Sequence, residues 1–168
     1  GTLPSGQPVI VNADGTVSVV AETSISQALG TAVTFKTGTG ADNIAAAYDP
    51  NAQKVVIAYQ DPQNSNYGTA VVGTVSGTSI SFGTAVVFAA VTSKYTSTVY
   101  DPDNQKIIIA YQDDSNFDQG KAVVGTVSGT SISFGSIATF NTGITNFISA
   151  TYDTNADKVV IAYKDGTT

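Results

Sequence analysis

One stretch of the chain is apolar at nearly every position, and it predicts a β-strand that is covered on both faces. The stretch runs from Lys106 to Gln112 and is rich in β-branched residues. Successive side chains of a strand point to opposite faces. The two sets of side chains are Ile107, Ile109 and Tyr111 on one face, and Ile108 and Ala110 on the other. A strand that is apolar on both faces is packed between other layers.

Further runs around this strand complete a four-stranded antiparallel meander. Gly129 ends one run and Gly135 interrupts the next, as glycine does at turns and bulges. The predicted strands are Thr96 to Tyr100, Lys106 to Gln112, Ala122 to Ser128, and Ser131 to Phe134 with a continuation from Ile137 to Phe140; Asp113 to Gly120 is a polar loop.

The same pattern recurs along the chain with a spacing of 52 residues. Tyr48-Asp49-Pro50 returns at Tyr100, and Tyr152-Asp153-Thr154 follows at the same spacing with Thr in place of Pro. The string AVVGTVSGTSISFG occurs from Ala70 to Gly83 and, unchanged, from Ala122 to Gly135. A fixed period of this length indicates a repeat architecture. The predicted organisation of the single repeat domain is an edited first half-unit (1–43), two repeats (44–95 and 96–147) and a terminal half-unit (148–168).

The repeated meander predicts an all-β protein of β-propeller-like, four-stranded antiparallel blades. Blades of some propellers have a period of about 50 residues. The first strand of each unit has small residues around Ala46, Thr98 and Ala150, which suits the narrow centre of a propeller. A β-sandwich or prism, in which the same meanders stack face to face, is the alternative.

Three repeats are too few to close a propeller, which has about four to eight blades. Gly15 to Phe35 carries a worn copy of the third and fourth strands, and the last unit stops after its second strand. Unpaired strand edges are templates for further pairing. We therefore expect self-association in which Gly15 to Phe35 of one copy pairs with Ser149 to Asp165 of another, giving a homodimer of six blades. The rest of a longer parent chain is the other source of the missing blades.

Composition excludes much of enzyme chemistry. All seven basic residues are lysine, and the chain has no Arg, His, Cys, Met or Trp. A Ser-His-Asp triad, a thiol nucleophile and a disulfide are therefore excluded, and zinc, copper and haem lose their usual ligands. We predict that the protein is not an enzyme, with no catalytic residue and no cofactor.

Charge and hydropathy also argue against two classes of binding partner, nucleic acid and the membrane interior. The net charge is −6, so the chain offers no basic surface to neutralise phosphates, and we expect no binding to nucleic acid. The longest apolar runs, such as Ala85 to Val91, are far shorter than a membrane span, and we expect no membrane insertion.

Tyrosines and turns recur in every unit, and most of them have a structural explanation. Asp, Pro and Asn after Tyr48 and Tyr100 are typical of a tight turn. Tyr59, Tyr111 and Tyr163 close the second strand of each unit, where packing between sheets is favoured over stacking on sugars.

The polar loop of each unit holds the candidate binding residues, because no strand pattern explains them. They are Tyr67, Asn64 and Asn66 in the first full repeat, and Phe117, Asn116 and Asp114 in the second. Asp113, Ser115 and Asp118 are spaced like the start of a calcium loop. The Gly and the bidentate Glu of such a loop are missing, so these three residues form only a weak metal candidate and no metal is predicted.

The strings YDP, KVVIAYQD and GTVSGTSISFG resemble repeats of structural and tail-fibre-like proteins of marine tailed phages. The resemblance covers nearly the whole chain and offers no catalytic residue. It implies a structural or adhesive module of a virion appendage or another extracellular surface protein. A multivalent, glycan-binding propeller of the lectin type, with a cell-surface glycan as its partner, is the alternative function.

Overall fold

The computed structural model describes residues 9–19 and 29–166, and these residues form strands, turns and irregular segments but no helix. Their strands are β1 (Val9–Val11), β2 (Val17–Val19), β3 (Asp42–Asp49), β4 (Lys54–Asp61), β5 (Tyr67–Ser76), β6 (Ser79–Phe82), β7 (Val86–Asp101), β8 (Lys106–Asp113), β9 (Gln119–Ser128), β10 (Ser131–Phe134), β11 (Ala138–Asn141), β12 (Thr145–Asp153) and β13 (Lys158–Asp165). The predicted all-β class is confirmed.

Strands β3 to β11 belong to one sheet path in which every pairing is antiparallel. β4 lies between β3 and β5, and the outer side of β5 pairs with β6 and with the beginning of β7. The remainder of β7 pairs with β8, β8 pairs with β9, and β10 and β11 share the outer side of β9. β1 with β2, and β12 with β13, form two-stranded sheets.

The continuity of β7 corrects the prediction of separate four-stranded blades. The residues from Val86 to Thr92 pair with β5, whereas those from Ser93 to Asp101 pair with β8. No Gly or Pro interrupts this strand, so the fourth strand of one unit continues into the first strand of the next. Two units therefore share a nine-stranded sheet, and the described strands of the third unit form a sheet of two.

The turn after each first strand is built in the same way in all three units. The carboxylate of Asp49 accepts a hydrogen bond from Ala52 N at 2.9 Å. Asp101 accepts one from Asn104 N, and Asp153 accepts one from Ala156 N, both at 3.1 Å. These bonds confirm that the recurring aspartates close turns, as predicted from their residue types.

Each first strand also contains the same irregularity. The pairing register shifts near Asn43 in β3, near Tyr95 in β7 and near Phe147 in β12. These three residues have φ angles of 49°, 47° and 52°, in the left-handed region that asparagine tolerates better than aromatic residues. The bulge is thus a constant feature of the unit, although only Asn43 has a side chain that favours it.

The main core lies between the sheet surfaces of the first and second units. Every residue from Ile107 to Asp113 in β8 is buried, which confirms the predicted two-sided burial of that strand. The core cluster contains Val56, Ala58, Ala70, Val72, Phe88, Ala89, Ile107, Ile109, Tyr111, Val123 and Ile132. Side chains of β4 and β5 thereby pack against side chains of β8 and β9.

Aromatic pairs connect consecutive units at equivalent positions. Phe88 contacts Tyr111 with ring centroids 5.3 Å apart, and Phe140 contacts Tyr163 at 5.4 Å. Tyr59 and Tyr111 are buried, as the packing interpretation of these tyrosines predicts. Tyr163 stays partly exposed because, in the described part of the chain, no strand pairs with the outer edge of β13.

The first half-unit differs from the predicted pair of third and fourth strands. Val17–Val19 pairs with Val9–Val11, residues 29–41 contain no strand, and residues 20–28 lie outside the described part. Residues 29–36 still follow the path of a fourth strand. Phe35 contacts Tyr59 at 5.4 Å, and a Cβ built on Gly30 would lie 1.8 Å from Thr78 O. In the next unit the equivalent Gly83 and Thr130 make the same close approach, at 1.9 Å.

Candidate functional site

Most of the candidate residues lie in two equivalent loops. The first loop (residues 62–66) joins β4 to β5, and the second loop (residues 114–118) joins β8 to β9. In the first loop Asn64 N donates to Asp61 O at 3.0 Å, and Tyr67 N donates to Asn64 O at 2.9 Å. The second loop repeats both bonds with N···O distances of 3.2 Å. The two loops therefore share one hydrogen-bonding pattern despite their different sequences.

Both loops turn through two consecutive residues in the left-handed region. Ser65 and Asn66 have φ angles of 53° and 60°, and Phe117 and Asp118 have angles of 54° and 56°. Two positive φ angles in succession are the feature of type I′ turns, which favour Asn, Asp and Gly. Phenylalanine in this region is uncommon and costs conformational energy. The second loop thus holds an aromatic ring in an unfavourable backbone conformation.

Backbone hydrogen bonds fix each loop to the segment where the chain passes from one unit to the next, which we call the crossover. Ser93 N donates to Asn66 O at 3.2 Å, and the equivalent Thr145 N donates to Asp118 O at 2.9 Å. The second loop is also hydrogen-bonded to the preceding crossover, because Asp114 N donates to Thr92 O at 3.0 Å. Ser93 and Thr145 are fully buried. The position of each loop is therefore set by the packing of the units themselves.

A buried aspartate with a lysine partner begins each loop. Asp61 lies 3.2 Å from Lys36 Nζ, and Asp113 lies 2.8 Å from Lys121 Nζ. The other carboxylate oxygen of Asp113 accepts a hydrogen bond from Ser115 N at 3.1 Å. A buried carboxylate needs such partners, since desolvation of an unpaired charge is costly. These aspartates fix the start of the loop.

The same contacts bear on the weak calcium candidate. Both carboxylate oxygens of Asp113 have protein partners, and Ser115 Oγ accepts a hydrogen bond from Thr92 N at 3.2 Å. Asp118 interacts with Asp114. Among the described residues no three acidic side chains are grouped so that they could hold a metal ion.

A charged pair links the second loop to β7. Asp114 Oδ1 is 2.6 Å from Lys94 Nζ, and this hydrogen bond holds the pKa of Asp114 below its usual value. Partial burial and the neighbouring Asp114 carboxylate raise the pKa of Asp118. Lys94 was not among the predicted candidates, because it lies 20 residues away and only the fold brings it to this loop.

The six predicted contact residues differ in their solvent exposure and in their hydrogen-bond partners. Asn64 and Asn66 are exposed, whereas Tyr67 is half-buried as the first residue of β5. Asn116 is half-buried and donates through its amide to Gln119 Oε1 at 3.0 Å, and Asp114 is exposed and paired with Lys94. The ring of Phe117 is 85% exposed. Phe117 is therefore the side chain in these loops that offers the most uncommitted apolar surface.

Comparisons with protein-family models, curated proteins and solved structures found no match to the chain. The described residues form no pocket, so any ligand of the two loops would bind on an open surface. No helix that could span a membrane occurs in the described ranges.

Proposed function

We propose that the chain is a non-catalytic structural and adhesive module of a virion appendage or another extracellular surface protein. Its units are propeller-like blades, and the two full repeats carry one polar loop each. The observation that carries this proposal is the recurrence of one set of contacts between consecutive units. Such a series builds a rigid body and presents equivalent loops at fixed separations.

The distribution of side-chain size between units supports blades rather than parallel stacked layers. First strands approach closely, since Tyr95 N donates to Asn43 Oδ1 at 3.0 Å and Ala150 N donates to Ser97 Oγ at 2.9 Å. At the fourth strands the space is filled by rings, with Phe88 and Phe134 centroids 5.8 Å apart. Rings also meet at the first strands, where the centroids of Tyr95 and Phe147 lie 5.2 Å apart. The wedge shape of a unit therefore rests on the close main-chain approach of the first strands and not on an absence of rings there. Wedge-shaped units arranged around an axis are the architecture of a propeller.

Presentation of equivalent loops on a rigid series suits adhesion. Each loop is tied to the unit crossovers by backbone bonds, so neighbouring copies keep their spacing. Weak contacts at several loops then combine by avidity, which raises the overall affinity without any strong single site. The described part of the chain forms no pocket, which agrees with contacts of this kind.

Phe117 favours glycan binding as a second candidate function. An exposed aromatic ring in a polar loop can stack on the apolar face of a sugar, while the amide of Asn116 and the carboxylate of Asp114 have protein partners in Gln119 and Lys94. The first loop has Ser65 at the equivalent position, so the two loops would differ in strength. The partner would be a cell-surface glycan.

A glycan array with soluble-sugar competition separates the two functions. The structural module predicts no binding that free sugar displaces. Binding displaced by millimolar free sugar and lost in Phe117→Ala would overturn this proposal in favour of the lectin. Phe117→Tyr, which keeps a ring that can stack, is the matched control and would retain the binding of a lectin.

A further inference from the structure

Two uncovered sheet surfaces at opposite ends of the unit series match the surfaces that pack inside the chain. The side chains of each first strand lie on two opposite faces of its sheet. In β3, Asn43, Ala45 and Ala47 lie on the face toward β7, as the bond from Tyr95 N to Asn43 shows. The other face of β3 is exposed and carries Ile44, Ala46 and Tyr48, which we name the β3 face.

The third unit has the complementary arrangement. Ile148, Ala150 and Tyr152 of β12 lie on the face toward β7, where Ala150 N bonds to Ser97 Oγ. The opposite face is exposed and carries Phe147, Ser149 and Thr151, which we name the β12 face. Ile44 is 54% exposed. Phe147 lies at the bulge of β12 and is 65% exposed, although its ring also contacts Tyr95 of β7 with centroids 5.2 Å apart.

Repeat equivalence relates these two faces to a contact that already exists. The positions of the β3 face correspond to Thr96, Thr98 and Tyr100, by which β7 packs on the preceding unit. Thr96 and Thr98 have fully buried hydroxyl oxygens, and Tyr100 packs against the core cluster. The positions of the β12 face correspond to Tyr95, Ser97 and Val99, by which β7 packs on the following unit.

The tyrosine near the end of a first strand lies close to the turn of the preceding unit. Burial and the Asp49 carboxylate of the preceding unit raise the pKa of Tyr100, and burial and the neighbouring Asp103 raise that of Tyr152 to about 12. Each of these tyrosines thus reaches the turn of the unit before it. Tyr48 is the equivalent residue of the first repeat and is exposed, with no such turn beside it in the described chain.

The chemistry of the two faces allows the same close approach. Neither face contains a charged side chain, and Ala46 and Ser149 at their centres are as small as the residues between the internal first strands. We propose that a second copy of the chain packs head to tail on the first, with its β3 face on the β12 face. The same contact then forms a second time, between the β3 face of the first copy and the β12 face of the second. Two such heterologous contacts close a ring of two chains.

Cysteine crosslinking tests this contact cleanly, because the chain has no cysteine of its own. The internal pair of Ser97 and Ala150 predicts that Ser149 of one copy lies opposite Ala46 of the next. Ala46→Cys and Ser149→Cys are therefore made in separate chains, mixed and oxidised. We expect a disulfide-linked dimer in the mixture and monomers when either variant is oxidised alone, since disulfides need Cβ atoms about 4 Å apart.

A control and a second pair keep the result interpretable. Ser133→Cys, exposed on β10 and away from both faces, mixed with Ala46→Cys should give no dimer above background. Tyr48→Cys mixed with Thr151→Cys tests the next step along the same contact if the first pair folds poorly. Absence of dimer in both mixtures, or equal dimer in the control, overturns the proposal. The contact rests on the blade arrangement proposed above, but its test is independent of any glycan result.

Discussion

Phe88→Ala is expected to lower the free energy of unfolding by about 3–5 kcal/mol, the range for truncation of a buried Phe. Phe88 is buried, and its ring contacts Tyr111 at 5.3 Å and Phe134 at 5.8 Å. All three rings belong to the contact between the first and second units. The substitution removes this contact and leaves a cavity that strands on both sides cannot fill. Chemical denaturation followed by circular dichroism measures the change.

Phe117→Ala is the matched control for this prediction. It removes the same atoms from a ring that is 85% exposed, so the change should stay within about 0.5 kcal/mol. Similar losses for the two variants would contradict the unit-to-unit packing of Phe88.

Ile109→Ala is expected to cost about 2–5 kcal/mol in unfolding free energy. Ile109 is fully buried in β8, and its neighbours on that strand are buried on both faces. The cavity would therefore open between the two units rather than at the surface. Equilibrium unfolding in urea gives the difference.

Ile137→Ala supplies the comparison for Ile109→Ala. Ile137 lies between β10 and β11 and is 45% exposed, so its truncation should cost far less. A loss below about 0.5 kcal/mol for Ile109→Ala, the level of a surface substitution, would refute the two-sided burial of β8.

The strand pattern of a unit was predictable because the chain repeats it. The run that ends at Tyr111 is rich in β-branched residues and apolar at successive positions. Both faces of the strand are therefore apolar, which predicts its burial between layers. The break after Gly135 is also confirmed, since β10 and β11 both pair with β9 and are separated by residues 135–137, which belong to no strand. Repetition made each of these predictions stronger than one strand alone would allow.

The continuity of β7 was missed, although a signal was present. Residues from Ala89 to Ser93 include no Gly, Pro, Asn or Asp, so nothing in them favours a turn between units. The positive φ angles of Tyr95 and Phe117 carried no such signal, because aromatic residues rarely adopt them. Tertiary contacts impose these conformations, and residue preferences alone do not reveal them.

The ion pairs of the loops were also beyond prediction from the sequence. Asp61 and Asp113 are equivalent, yet their lysines come from different places. Lys36 precedes β3, whereas Lys121 lies in β9 beside its partner. Since the repeat does not conserve the lysine position, spacing could not identify either pair. Phe117, in contrast, could be proposed as a contact residue from the sequence, because a large aromatic residue in a polar loop has no role in a strand pattern.

The mass of the protein in dilute solution, measured by light scattering, tests most directly whether the units form a series with uncovered faces at both ends. Two chains in a closed ring of six blades predict about 34 kDa, twice the 17.1 kDa of one chain. A stable monomer of 17.1 kDa, with its N-terminal strands protected from hydrogen exchange, would contradict the account. In that case the chain closes on itself, and the sandwich replaces the propeller.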